Sequence, residues 1–518
     1  MMKSSEPIQL CSFSAARRCR IGLLAVVIAT LPFVTLGADK PAQGLAPHAR
    51  IAPVDVDALL HKHGLSGARV GFHAVDQENG GLVTSRAASQ FFIPASTVKI
   101  VTAAAALGAL GPAHRFRTSV HATGELRDGV LNGDLYLKGS GDPLLAVQDL
   151  MGMIERLKDQ GLGRVAGQFH FDESLLPTVT AIDRDQPAAA PYNSGVSALS
   201  LDFNRIRVHW KQTSRGATVA NFSPLPGAGT ITIGETVGGT SAGPGRPFVP
   251  ASTTGDNWIM TPAHLPTPDG MTELPVRRAG LRTAEVFRAL AKATGTTMAP
   301  PSAGSVPKEA RELAGVDSVA LTQILRPALE YSNNMVSELI GMAAAQKLHG
   351  KTDTLAESSE KLVKWLAGRT LDLDLEGLNL PNHSGLSAQA RATPKQMLAF
   401  LRHGLLMRYG VDGIIPLLPA GGWRDSLGGR FRDPAVAGWV WGKSGTLHYA
   451  TGLVGVLFGR ASGRRTAFAL YVMDDKRRAA YDADPNRQSL AVQATAKAWI
   501  DKAKAFEEDL VSAWTSKY

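Results

Sequence analysis

Ser96-Thr97-Val98-Lys99 opens a run that is almost wholly small and apolar, Ile100 to Leu110, which Gly111-Pro112 stops. A helix that is apolar on every side must be enclosed by other elements, so this run predicts a buried helix at the heart of a folded domain. Helix residues three apart share a face, which lets the Ser96 hydroxyl meet the Lys99 amine. Pro94 and Ser96 stand where the helix begins, so the serine would lie near the positive end of its dipole. A hydroxyl needs a base to become a nucleophile, and a lysine serves only when uncharged. An apolar helix and a second cation can bring its pKa from about 10.4 to near 7. The ordinary alternative is Ser as a cap and Lys as a solvated first-turn residue, because S-x-x-K recurs by chance in long chains.

Two further stretches carry chemistry. Ser332-Asn333-Asn334 lies between two helical patterns. A loop there would present a hydroxyl for proton relay and an amide for a substrate carbonyl, or simply cap a helix. Gly442-Lys443-Ser444-Gly445-Thr446 follows a strand expected over 436–442. Its glycines permit close backbone approach, Lys443 adds a cation and Thr446 a hydroxyl; a plain strand-end turn is the alternative. Each motif is weak alone. Their order along the chain, Ser-x-x-Lys, Ser-x-Asn, Lys-Ser-Gly, is far more specific.

Composition narrows the class. The chain has 518 residues, 44% hydrophobic and 19% charged, which suits a packed core. Its net charge of +10 is spread out. No basic helix, finger or aromatic-interleaved patch argues for a nucleic-acid partner. The two cysteines, Cys11 and Cys19, precede an apolar run from Ile21 to Leu36 flanked by Arg17, Arg18 and Arg20, with Gly37 and Ala38 after it. That is the pattern of a cleaved export signal over 1–38, with an uncleaved anchor as the alternative. The mature chain would then hold no cysteine, which excludes a disulfide scaffold and thiol catalysis.

Texture changes along the chain predict an α/β (α+β) architecture. Strands are expected at 68–75, 82–85, 450–458 and 465–473. Helices are expected at 55–64, 282–294, 317–330, 333–348, 355–368 and 393–407, with a last one at 486–514. Between 114 and 275, short β-like runs at 116–121, 131–137, 165–171, 199–210 and 230–233, interrupted by Gly/Pro/Ser/Thr clusters and one helix (144–157), predict an inserted β-rich region. The last helix sets Val492, Ala496, Trp499, Ala503, Phe506 and Leu510 on one face, for packing on the sheet or, as the lesser reading, on a membrane surface.

With Gly139-Ser140-Gly141-Asp142-Pro143-Leu144, Ser197-Ala198-Leu199-Ser200 and Ser384-Gly385-Leu386-Ser387 added to the three motifs, the chain from about 50 to 475 resembles the class C low-molecular-mass penicillin-binding proteins. That resemblance implies a penicillin-binding/β-lactamase-like domain (39–113 and 276–518), an antiparallel sheet flanked by helices, with the insert at 114–275. It implies a periplasmic serine D-alanyl-D-alanine carboxypeptidase or endopeptidase acting on peptidoglycan stem peptides, with β-lactams as covalent inhibitors and no metal or organic cofactor. Carried over by position, Ser96 is the nucleophile, Lys99 its base and Ser332 a proton relay. Asn334 holds the substrate backbone, and Lys443, Gly445 and Thr446 the terminal carboxylate side of the cleft. Backbone amides of Ser96 and Thr446 form the oxyanion hole. Wall or peripheral membrane association fits such a role.

Departures are visible. Asn382-His383 replaces the usual Asp-Gly before Ser-Gly-Leu-Ser, with His383 expected in a solvated loop. Ser444 stands for a commoner Thr, and Asn333 for Asp. A catalytically silent wall-binding protein and a β-lactamase or esterase of related fold are the alternatives. Glu376-Gly377-Leu378-Asn379 is one residue short of the deacylating E-x-x-L-N pattern and reads as structure. Gly239 to Gly243 matches G-x-S-x-G but lacks the helix an elbow requires.

Overall fold

The computed structural model describes residues 54–212, 218–223, 247–251, 255–261, 264–370, 373–406, 413–423, 427–460 and 462–517. The expected leader, the strand at 230–233 and the G-x-S-x-G stretch lie outside these residues.

One sheet organises the site. Its strands run in the order Val440–Leu447, Ala450–Phe458, Arg465–Met473, Arg69–Asp76, Leu82–Arg86, each antiparallel to its neighbours. The three inner strands are almost continuously buried, which is why they read as solid apolar runs instead of alternating ones. Helices cover both faces. On one side lie Val56–Lys62 and the terminal helix Leu490–Lys517, whose Ala496, Trp499, Ala503, Phe506 and Leu510 are buried against Phe72, Leu470 and Val472. Packing on the sheet therefore accounts for that face. Among the described residues no helix is long and apolar enough to cross a membrane.

On the other side lies the central helix, Val98–Leu110, in which every residue from Val98 to Leu107 is buried, as its composition requires. Gly111 ends it with φ 87°, a conformation glycine adopts without strain. A second enclosed helix, Asn334–His349, packs on it with twelve buried residues from Asn334 to Ala345. Pro394–Leu406 completes the layer.

Trp514 is the anchor of the terminal helix. Its ring meets Phe72 at 5.2 Å and Phe468 at 5.9 Å, both edge-on. Trp514→Ala is expected to cost about 3–5 kcal/mol, measured as a lower denaturation midpoint. A loss below about 1 kcal/mol would mean the helix contributes little to the fold.

A second sheet takes strands in the order Pro301–Ala303, Phe169–Asp172, Leu135–Lys138, Arg117–Ala122, Arg311–Asp317. Helices Val147–Asp159 and Ala279–Ala293 cover it around Leu150, Met153, Val286 and Phe287. The boundary expected at 275 cuts through this unit, because the helix after it is amphipathic and closes the second core, not the first. Arg205–Gln212 pairs antiparallel with Thr218–Ser223 and Asp269–Pro275, and Phe248–Pro250 with Trp258–Met260; Val208, Trp210, Phe248, Trp258 and Leu274 from these pieces form a third core. Gly133 and Asp134 split the single strand expected over 131–137 into Val130–Asn132 and Leu135–Lys138.

Candidate active site

The nucleophile candidate sits in a braced turn. Ala95–Thr97 forms one 3-10 turn leading into the central helix, and Ala95 is held at φ 47°. A non-glycine residue in that region stores strain, and such strain gathers where geometry serves function. Thr97 Oγ1 lies 2.7 Å from the Pro94 carbonyl and 2.8 Å from the Tyr471 hydroxyl, pinning the turn to the middle of the sheet.

Lys99 is only 2% exposed. Its Nζ lies 3.0 Å from Ser96 Oγ, 2.8 Å from Asn334 Oδ1 and 2.8 Å from the Ser384 carbonyl oxygen. The last two atoms only accept. A neutral amine satisfies all three by donating to both carbonyl oxygens and turning its lone pair to the Ser96 O–H. Burial and the neighbouring Lys443 ammonium hold Lys99 well below the ordinary lysine range, against an opposing pull from Glu338. The amide orientation of Asn334 is fixed independently, because its Nδ2 donates to the Tyr192 carbonyl at 3.0 Å.

The second motif divides its labour. Asn333 caps the helix, its Oδ1 accepting from the Val336 amide at 3.1 Å, so for this residue the plain capping reading holds. Asn334 reaches Lys99. Ser332 is half-buried at φ 55° between helices Leu321–Glu330 and Asn334–His349. Strained non-glycine residues thus stand beside the nucleophile candidate and at the hydroxyl of the second motif.

The third motif lies inside a strand, not after one. The strand expected at 436–442 is Val440–Leu447, because Gly442 and Gly445 permit a close approach here and do not break the element. It is the sheet's edge. The Gly442 amide donates to the Pro419 carbonyl at 2.9 Å, away from the sheet. Residues two apart direct their amides the same way, so those of Ser444 and Thr446 also point outward. A Cβ on Gly445 would lie 2.5 Å from the Pro94 carbonyl oxygen and 3.2 Å from the Ser96 nitrogen. Only glycine lets the edge strand pass this close. Lys443 shares that strand face and is 0% exposed. Burial, then Lys504, brings its amine down to about 7.

Ser384-Gly385-Leu386-Ser387 closes the pocket from below. Gly385, at φ 76°, lies against the Ala95 carbonyl where a side chain would collide. Asn382 Oδ1 accepts from the Gly385 amide at 2.9 Å, so Asn supports this turn with a side-chain oxygen as Asp would. His383 is not solvated but 2% exposed, with Nε2 2.9 Å from Ser358 Oγ and its ring over Gly341. Burial pushes its pKa down to about 3, so it stays neutral.

Glu338 was hidden in the sequence. It is 0% exposed and its two carboxylate oxygens accept from the His383 and Ser384 amides, each at 2.9 Å. The available signal was a single acid inside a helical stretch from Met335 to Ala345 that is apolar but for Ser337. Glu376, by contrast, is exposed in a turn. Among the described residues no His, Cys, Asp or Glu cluster could hold a metal ion.

An antiparallel sheet flanked by helices, with a hydroxyl and a desolvated amine at the head of the enclosed helix, defines a serine acyl-transfer enzyme of the penicillin-binding/β-lactamase-like class. The chain belongs to the D-Ala-D-Ala carboxypeptidase 3 (S13) family, whose model matches residues 53–497. It is 29% identical over 88% of its length to 88% of a D-alanyl-D-alanine carboxypeptidase of Actinomadura sp. (strain R39). It is 27% identical over 79% of its length to 75% of a carboxypeptidase of Mycobacterium tuberculosis. Penicillin-binding protein 4 of Haemophilus influenzae, in complex with a β-lactam, shares the fold with TM-score 0.70 and 19% identity over 90% of this chain and 100% of that one.

Proposed function

We propose that this chain removes the terminal D-Ala from peptidoglycan stem peptides, and cuts D-amino-acid cross-links, through an acyl-enzyme on Ser96. The observation that carries the proposal is the three-way placement of the Lys99 amine between Ser96, Asn334 and Ser384. Lys99 takes the Ser96 proton as Oγ attacks the penultimate carbonyl carbon. The amides of Ser96 and Thr446 receive the oxyanion, each worth about 3–4 kcal/mol. The C–N bond breaks as Ser332 passes a proton to the leaving D-Ala amine and takes its replacement from the Lys99 ammonium, which is neutral again. Water then attacks the ester, returns the proton and frees Ser96. Asn334 orients the substrate backbone. Lys443 and Thr446 attract its terminal carboxylate, while Gly445 keeps the strand close enough for a substrate to lie along its free edge.

A β-lactam ring opens onto the same serine, and its amine stays tethered in the site. The purified chain should release D-Ala from a D-Ala–D-Ala peptide and gain the mass of one penicillin. Absence of both would end this reading. Digestion of isolated sacculi, analysed for free cross-link monomers, separates endopeptidase from carboxypeptidase action. For the organisation of the chain, the proposal is an insert running from 114 to about 317. The N-terminal apolar run supports export to the periplasm, where the wall substrate lies; mass spectrometry of the processed chain tests it.

The buried Lys443 yields a pH prediction. A bound carboxylate favours its ammonium form, and its free pKa is about 7. Below pH 7 the cation is already present and KM is flat. Above pH 7 binding must take up a proton, so KM should rise by about tenfold per pH unit. The same peptide with an amidated C-terminus should lack this rise. A flat KM from pH 6 to 9 for the free acid would remove Lys443 from carboxylate recognition.

A further inference from the structure

The roles proposed above leave unused one buried acid, Glu338, beneath the reacting groups. Helix Asn334–His349 presents one residue to Lys99 and two to the turn at 382–385. Asn334 touches Lys99 directly, Glu338 one turn later accepts the His383 and Ser384 amides, and Gly341 leaves space for the His383 ring. From the central helix, Thr102 Oγ1 donates to the His383 carbonyl at 2.7 Å. The Ser384 carbonyl, whose own amide Glu338 holds, accepts from Lys99. The chain of contact is therefore Glu338 carboxylate, Ser384 peptide, Lys99 amine, Ser96 hydroxyl.

Resting on the serine-peptidase reading of this site, we propose that Glu338 is a positioning residue: as a buried anion it clamps the 382–385 turn, aims the Lys99 lone pair at Ser96 and sets how strongly Lys99 holds a proton. Two backbone N–H groups aimed at its two oxygens favour the carboxylate, because a protonated oxygen would turn a hydrogen against an amide. Burial leaves its pKa raised overall, against the lowering by the Ser384 side chain, the two amides and Lys99, so the ground for the anion is the pair of N–H groups donated to its two oxygens. The charged groups facing Lys99 are then Lys443 from the edge strand and Glu338 from its own helix, with Lys504 behind Lys443. His383 is neutral. The anion offsets the lysine cation across the pocket. Without it Lys99 would hold its proton more weakly, be a poorer base and lose its aim.

The test is the pH dependence of acylation by benzylpenicillin, followed by intact mass, for wild type, Glu338→Gln, Glu338→Asp and Thr102→Val. Lys99 acts as base only when neutral, so the acid limb marks its pKa. Removing the anion in Glu338→Gln should move that limb about one pH unit lower and reduce the plateau rate by about tenfold or more. Glu338→Asp keeps the charge but shortens the reach, and Thr102→Val loosens the same turn from the other side. In both the midpoint should stay and only the plateau fall. A merely structural role would lower all plateaus and leave every midpoint in place, which overturns the proposal. If Glu338→Gln does not fold, Glu338→Asp with a wild-type plateau overturns it as well. An unlabelled wild type would instead defeat the underlying serine-peptidase reading.

Discussion

Ser96→Ala is expected to take up no penicillin and to lose activity on a D-Ala–D-Ala peptide by about 10⁴-fold or more. The argument is chemical before it is structural. Once the hydroxyl is gone, no covalent bond to the acyl carbon can form at this position, and the Lys99 amine faces a methyl group. The fold should survive, because Lys99 keeps Asn334 Oδ1 and the Ser384 carbonyl at 2.8 Å each. Lys99→Met should be about as damaging, since an unassisted serine is a weak nucleophile. The double variant should then be hardly worse than either single one, because residues that act as a unit are not additive. Thermal unfolding separates loss of chemistry from loss of structure. A penicillin adduct that persists in folded Ser96→Ala would place the nucleophile elsewhere.

What made the site legible was covalent order combined with one packing rule. The run Ile100–Leu110 had to be enclosed, which carried Ser96 and Lys99 inside with it. The strands 450–458 and 465–473 were readable to the residue because both of their faces are buried, so no alternation blurs them. The edge strand was misplaced for the opposite reason. The motif read as a close-approach segment following a strand, with a strand-end turn as the alternative, yet Gly442 and Gly445 lie inside the strand and let it continue past the Pro94–Ser96 turn. The second sheet's dependence on Ala279–Ala293 and Arg311–Asp317 was not readable, since an amphipathic helix shows that it has a buried face but not which core that face meets. His383 and Glu338 show the remaining gap. A polar residue is presumed solvated unless its partners are known, and here those partners, Ser358, Gly341 and two backbone amides, lie far from it in sequence.

Gly445→Ala should be nearly as costly to chemistry as losing a catalytic group, although it adds one methyl. Its Cβ would sit 2.5 Å from the Pro94 carbonyl oxygen and 3.2 Å from the Ala95 Cβ. That carbonyl cannot yield as a flexible side-chain tip would, since the Thr97 hydroxyl and amide hold it at 2.7 and 3.3 Å. The edge strand must therefore retreat or the turn must rotate, and either separates the Thr446 amide from the Ser96 amide. A misplacement of about 1 Å costs about 10²-fold in rate, and losing one oxyanion donor costs a further 10²–10³ of that order. Acylation by penicillin and peptide hydrolysis should thus fall together by about 10²-fold or more, while Gly67→Ala, where an added Cβ meets nothing within 4 Å, leaves both unchanged. Overpacking of this kind also destabilises by about 1–3 kcal/mol, which a melting curve would register. If Gly445→Ala is acylated at the wild-type rate, the narrow gap between the edge strand and Ser96 is not where the acyl group is held.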